Sequence, residues 1–240
     1  MQTSGNGDGA RRELGSVDLG DPRRTARLLK LCGRLSEMPE SALNQAWGEW
    51  AETKAAYRFF HNEKVEGRKI LAAHQANTFA RARPHRTMLA LQDTSYLVYT
   101  SHRQTTGLGK LSFKKGKRVK KIHSPGLLMQ SGLAVTTDGL PPGLLEQKIF
   151  ARESVAQDQT KHRNVLPIEE KESSRWLAAL KNSKPVRGNT PLVTVCDREA
   201  DIDELFQLSA ALAAPVLVRA TYDRPLNKRS MYAEKDIMKL

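Results

Sequence analysis

The sequence predicts an α/β fold in which a helical amino-terminal domain precedes a mixed β-sheet domain. Between residues 21 and 83, apolar side chains recur at helical spacing, broken by polar punctuation. From Arg86 onward, short apolar runs separated by turn residues take over. Two of those runs, Met88-Leu-Ala-Leu-Gln-Asp93 and Pro191-Leu-Val-Thr-Val-Cys-Asp197, lack internal charge and close on an aspartate. Runs of that kind are strands buried on both faces, and their ends lie at the edge of an open sheet where ligand and metal sites form.

The opening residues, Met1 to Ala10, have no signal-peptide stretch and read as part of a disordered lead-in of about 17 residues. Asp21 and Pro22 read as the N-cap and first position of a helix. Leu28, Leu31, Cys32 and Leu35 fall on one side of it, and Arg23, Arg27, Lys30 and Arg34 recur along another. Such a face is ordinary for a surface helix, but Asp21 is the only acid from Gly20 to Ser36, which favours DNA contact. A second helix covers Ala51 to Phe60 and breaks at Asn62-Glu63-Lys64. A third starts near Glu66 and must stop before Pro84. Trp47, Trp50 and Tyr57 are expected to fill the core these helices share; the sharper alternative is a platform on which single-stranded bases stack. The helical domain is expected over residues 1–67 and the sheet domain over 68–240.

In the sheet domain the first strand runs from about Thr87 to Gln92 and the second from Gly126 to Thr136. Asp138-Gly139 makes a tight turn, and Leu144 to Phe150 returns as the third strand. Ile168 to Leu180 reads as a helix burying Trp176, Leu177 and Leu180, with Glu169 and Glu170 suiting its positive end. Leu192 to Cys196 is the fourth strand. Asp201 and Glu204 resemble a capping pair for a helix burying Ile202, Leu205, Phe206, Ser209 and Leu212, and Val216 to Val218 is the fifth strand. This order makes a mixed sheet, antiparallel early and parallel late, as in ribonuclease H-like folds.

Charge points to the partner. A formal +13 and a pI near 9.9 indicate a polyanion. Arg103, Lys110, Lys114, Lys115, Lys117, Arg118, Lys120 and Lys121 stand together with no acid between His102 and Lys121. Gly107, Gly109 and Gly116 punctuate the stretch, so it is expected to be a mobile basic loop; a solvated linker is the plainer alternative. Because it starts a few residues past Asp93, phosphate contact is favoured. With no apolar run near 18 residues, no membrane span is expected. Cys32 and Cys196 are far apart in sequence and read as buried free thiols in a reducing cytoplasm. A pair of strand-end aspartates can hold Mg2+ for phosphodiester chemistry, and no nucleophilic Ser or Cys is evident.

The residues also carry a resemblance. Leu19-Gly-Asp-Pro-Arg-Arg-Thr-Ala-Arg-Leu28, Ala56-Tyr-Arg-Phe59, Leu91-Gln-Asp-Thr94, Leu108-Gly-Lys-Leu111, Glu170-Lys-Glu-Ser173 with Trp176-Leu177, and Cys196-Asp-Arg-Glu-Ala-Asp-Ile202 occur in one order. Together they resemble bacterial insertion-sequence DDE transposases of the IS-four group, Tn-five transposase-like. The resemblance implies a helical domain binding the inverted-repeat ends of a mobile element, then a ribonuclease H-like catalytic domain for cut-and-paste DNA transposition. It implies that Asp93 and Asp197 are two members of an Asp-Asp-Glu triad holding Mg2+, with Mn2+ as a substitute. Arg23, Arg24, Arg27 and Arg58 match end-binding positions, and Arg198 and Arg219 match basic positions near the active site. Lys30, Lys114, Lys115, Lys117 and Arg118 are assigned DNA contact on charge alone.

Nothing after Arg219 resembles the family's β-rich insertion, glutamate helix or pairing helices. The expectation is therefore a carboxy-terminally truncated transposase with an incomplete ribonuclease H-like domain, in a bacterial, nucleoid-associated setting. Its partners would be duplex DNA at transposon ends and target DNA, with no membrane. The intact family is expected to dimerise, which is doubtful for this chain. The alternative is a non-catalytic DNA-binding remnant that occupies element ends or competes with intact transposase.

Overall fold

The structure, a computed structural model, describes residues 4–101, 104–115, 120–152, 173–183 and 191–221. Ser4–Leu14 forms helix α1, which corrects the expectation of a disordered lead-in. The cause is docking. Leu14, Val17 and Leu19 are buried in the amino-terminal core. The Arg81 guanidinium donates to both oxygens of Glu13 at 2.8 and 2.9 Å, and Asn77 Nδ2 donates to the Glu13 main-chain oxygen at 2.7 Å. Composition registers only polarity there, whereas helices in proteins owe most of their stability to tertiary contacts.

The next helix, α2 (Pro22–Glu37), starts as its sequence indicates: Asp21 Oδ1 accepts the Arg23 N–H at 2.9 Å and Pro22 occupies the first turn. Short α3 (Leu43–Trp47) and α4 (Trp50–Phe60) pack beside it, and Leu28, Leu31, Trp47, Ala56 and Phe59 form their shared core. Of the three aromatics expected there, only Trp47 is buried. Trp50 and Tyr57 are 77% and 52% exposed, because the opposite side of α4 supplies its core contacts through Ala56 and Phe59.

Helix α5 (Gly67–Ala82) ends just before Pro84 and ties the helical part to the sheet. Toward α1 it offers Arg81 and His74, whose Nδ1 lies 2.6 Å from Glu13. On its other side Gln75 Nε2 donates to the Leu145 carbonyl at 2.7 Å, and the Leu144 N–H donates to His74 Nε2 at 2.8 Å. Gly143, at φ +147°, sits where a Cβ would lie 2.3 Å from Thr78 Oγ1, so this close approach requires glycine.

Six strands follow: β1 (Met88–Val98), β2 (Gly109–Lys115), β3 (Lys120–Thr136), β4 (Gly143–Phe150), β5 (Leu192–Cys196) and β6 (Val216–Val218). They form one mixed sheet in the order β2-β3-β1-β5-β6, with β4 also paired to β3. Pairing is antiparallel among the early strands and parallel from β1 to β5 to β6, as the element order implies. Gly126 pairs with Val98 on one side and Gly109 on the other, so β2 and β4 share the far edge of β3.

Two expectations are corrected here. Of the basic stretch expected to be a mobile loop, residues 109–115 pair with 120–126 as strand, because main-chain bonding to β3 overrides the weak β-propensity of lysine, while Arg103 and residues 116–119 lie outside the described residues. Likewise β1 does not stop at Gln92; its antiparallel ladder with β3 carries it through Asp93 to Val98.

Helices α6 (Ser174–Asn182) and α7 (Asp203–Leu212) bury Trp176, Leu180 and Leu205 against Cys196, while α5 covers Met88, Ala90 and Leu192. These sheet residues alternate onto one face. The opposite face is open at Leu91 and Leu217, which are 37% and 51% exposed. Of the helix expected from Ile168, residues 168–172, including Glu169 and Glu170, lie outside the described residues, as does 222–240. Asp201 does not cap α7. An intervening 3-10 turn, Arg198–Ala200, delays the helix, and Asp201 turns inward to accept the Thr221 N–H at 2.7 Å. No helix among the described residues is long and apolar enough to cross a membrane.

Candidate functional site

Strand register decides which side chains share the open face. Gln92 pairs with Cys196 across β1 and β5, and Cys196 pairs with Val218 across β5 and β6. One residue further on, Asp93, Asp197 and Arg219 occupy the same row and point to the other side. Both chains stay extended at that point. Asp197 has φ −81° and ψ −170°, and the Arg219 N–H still donates to the Cys196 carbonyl at 3.2 Å. Antiparallel register continues the row, since Asp93 pairs with Ser131 and Ser131 with Gln147. The result is a polar row, with Gln147, Ser131 and Asp93 on paired strands and Asp197 and Arg219 one residue past the ends of β5 and β6.

Asp93, Asp197 and Arg219 are exposed, and Ser131 and Gln147 are half-buried. Gln147 Nε2 reaches Ser131 Oγ at 3.5 Å, consistent with a shared face. Asp93 is therefore in the middle of β1, not at a strand end as its apolar run suggests. What ends beside it is β5, and that termination opens the space next to its carboxylate. Asp197 Oδ1 caps the 3-10 turn by accepting the Glu199 N–H at 2.9 Å, which leaves Oδ2 for a further partner.

The turn after Asp197 holds the surrounding charges. Arg198 is exposed, and its carbonyl accepts the Thr221 hydroxyl at 2.8 Å, which anchors the chain following Arg219. Glu199 is bound to Arg175, whose guanidinium also lies over the Trp176 ring at 5.3 Å. Neither Glu199 nor the inward-facing Asp201 is thus directed to the Asp93 and Asp197 pair. Among the described residues no group of three or more His, Cys, Asp or Glu side chains is placed to hold a metal ion. Beneath Asp197, burial first and the neighbouring carboxylate second push the Cys196 thiol up to about 12. A thiol so raised is a poor nucleophile at neutral pH. Cys32, half-buried and also raised by burial, is likewise free.

The cations assigned to DNA fall in three places. On α2, Arg23 is 92% exposed and pairs with Asp21 at 3.0 Å, and Arg24 Nη1 donates to the Leu19 carbonyl at 2.7 Å. Arg27 and Lys30 share Glu52 of α4 at 2.8 and 2.7 Å. The Lys30 hydrogen bond, with Arg27 alongside, holds the Glu52 carboxyl below its ordinary range. On α4, Arg58 is exposed and forms no salt bridge among the described residues. In the hairpin, Lys114 is in register with Lys121 and Lys115 with Lys120. Lys117 and Arg118 lie outside the described residues.

Sequence reasoning missed Ser131 and Gln147 as neighbours of Asp93. Strand alternation could have placed each on a face, but only the register of β3 puts them in this row. It also missed Glu52, which lies 22 residues from Lys30 and is invisible to any local pattern.

Residues 8–65, from within α1 through α4 to Val65, match the family model described as Transposase DNA-binding. Among solved structures, the chain is similar to one described as the Mos1 strand transfer complex, at 12% identity over 81% of this chain, with a TM-score of 0.28. A pre-cleavage Mos1 transpososome matches at 11% identity over 79% of this chain, with a TM-score of 0.22. The chain spans 58% of the length of each of those chains, and these TM-scores are too low to define a common fold.

Proposed function

We propose that this chain is a transposase-family protein for cut-and-paste DNA transposition. Its helical part grips the inverted-repeat ends of a mobile element, and its sheet carries part of a two-metal site for cleaving and joining phosphodiesters. The observation that carries this is the placement of Asp93 and Asp197 one residue beyond the paired Gln92 and Cys196 of parallel β1 and β5, in a chain whose residues 8–65 match a transposase DNA-binding model. The strand order supports a ribonuclease H-like domain: with β2 set aside, the third, second, first, fourth and fifth strands lie side by side.

The donor set fits Mg2+ or Mn2+. Two exposed carboxylates at adjacent positions offer the hard oxygen ligands such cations take, and Asp197 keeps one oxygen clear of its capping bond. When bound at Asp93 and Asp197, the ions would supply an activated water and a stabilised leaving oxygen. The chain's own residues position the DNA. Arg198 and Arg219 flank the carboxylates where a scissile phosphate must approach, and Ser131 and Gln147 offer hydrogen bonds on the other side of Asp93. The cations of α2, Arg58 and the lysine-rich hairpin bind the backbone on either side.

A second reading follows from the carboxylates themselves. Since no third one joins Asp93 and Asp197 among the described residues, the chain can act as a DNA-binding protein that occupies element ends without cutting them. The test uses duplexes carrying the terminal repeats and duplexes of random sequence, with Mg2+ or Mn2+. Retardation specific to the repeats, with end nicking lost in Asp93→Ala, supports the enzyme. Specific retardation without nicking supports the second reading, and equal retardation of random duplex refutes end recognition.

A further inference from the structure

Helix α4 turns a second aromatic face outward, opposite to the one that builds the core. At 3.6 residues per turn, Trp50, Lys54, Tyr57, Arg58 and His61 fall within an arc of about 100°. Of the buried residues of α4, Ala56 and Phe59 lie on the other side and Thr53 flanks the arc next to Tyr57. Trp50 and Tyr57 are 77% and 52% exposed, and Lys54, Arg58 and His61 are exposed as well. The two rings are separated by two turns, about 10.5 Å along the axis, with Lys54 between them. Between Trp50 and His61 the only acid is Glu52, and it is turned away to Arg27 and Lys30.

An apolar surface that needed only a protein neighbour would not be interleaved with cations. Aromatic rings alternating with unopposed positive charge suit a chain with flat apolar faces joined by an anionic backbone. We propose that the outward face of α4 is a stacking platform for the unpaired nucleobases of single-stranded DNA, with Lys54 and Arg58 on the intervening phosphates. This rests on the DNA-binding reading of the helical part and adds a substrate to it. The bases in a duplex are already stacked, so the platform acts on strands that are open at an end or a nick. Each ring offers a sequence-tolerant surface, because every base has a π-face.

The test measures the affinity of the full chain for a labelled single strand of mixed sequence and for the blunt duplex of the same sequence, at matched salt. Trp50→Ala and Tyr57→Ala are each expected to weaken single-strand binding about tenfold while leaving duplex binding unchanged. Trp50→Phe keeps a π-face and retains most of the affinity. Trp47 and Trp176 are buried, so Trp50 dominates the long-wavelength emission. Single strand should quench that emission in the wild type and not in Trp50→Phe. Circular dichroism of each variant checks that the exposed substitutions leave the helices intact. Unchanged single-strand affinity in both alanine variants, or equal losses on single strand and duplex, overturns the platform. If the wild type binds duplex but not single strand, the platform alone falls. If it binds neither, the DNA-binding reading falls with it.

Discussion

Replacing Glu52 with glutamine removes the one acid that Arg27 and Lys30 share while keeping the shape of the side chain. In the structure both cations are held within 2.8 Å of Glu52, and their side chains are 33% and 51% exposed, so they can turn toward a ligand. A cation bound to a carboxylate releases little from the counterion atmosphere of DNA; a freed one neutralises a phosphate. Each additional phosphate contact steepens the dependence of log affinity on log salt by about 0.9. Freeing one cation should therefore steepen the slope by about 0.9 and raise affinity at 0.1 M salt by about eightfold; freeing both would double the change in slope. The assay is fluorescence anisotropy of a labelled duplex titrated with Glu52→Gln and wild type at several KCl concentrations. A slope that stays the same or becomes shallower would show that α2 does not face the DNA backbone.

Two further outcomes follow from contacts within the fold. The Arg81 hydrogen bond, with His74 nearby, holds the Glu13 carboxyl below its ordinary value of 4.5, so this contact stabilises the fold above that pH and fades as pH falls through the depressed value. The side chains of Glu13 and Arg81 are 28% and 42% exposed, which reduces the expected worth of the pair to about 1 kcal/mol. Arg81→Ala should then lower the melting temperature by about 2–4 °C at neutral pH and by less in acid, as thermal denaturation at two pH values will show. The Cys196 thiol, raised to about 12, should resist an aromatic disulfide reagent at pH 8 in the native protein and react once the chain is unfolded.

The parts of the fold that could be read from the sequence are those where local pattern and tertiary structure agree. Asp21 and Pro22 start α2 because capping is a local matter, and Leu192–Cys196 is a strand because a charge-free β-branched run has few alternatives. Where tertiary contacts decide, local pattern fails. Helix α1 forms because Arg81 and Asn77, more than sixty residues away, bind Glu13. The lysine-rich stretch becomes a strand because β3 offers it a ladder, even though the register sets Lys114 against Lys121.

The candidate site divides in the same way. Asp197 is recognisable as a strand-end carboxylate, but the neighbours of Asp93 depend on two registers that connect β1 to β3 and β3 to β4. The aromatic faces of α4 were equally ambiguous. Trp50, Tyr57 and Phe59 all suit a core, and only the position of α2 shows which of them enters it.

The central claim is that Asp93 and Asp197 together hold a divalent cation on the open face of the sheet. Titrating the full chain with Mn2+ and following the free ion by electron paramagnetic resonance tests it without requiring activity. The wild type should deplete the free-ion signal, and Asp93→Asn with Asp197→Asn in the same chain should abolish that depletion while leaving the helical circular dichroism unchanged. Equal Mn2+ binding by the wild type and the double variant would contradict the account.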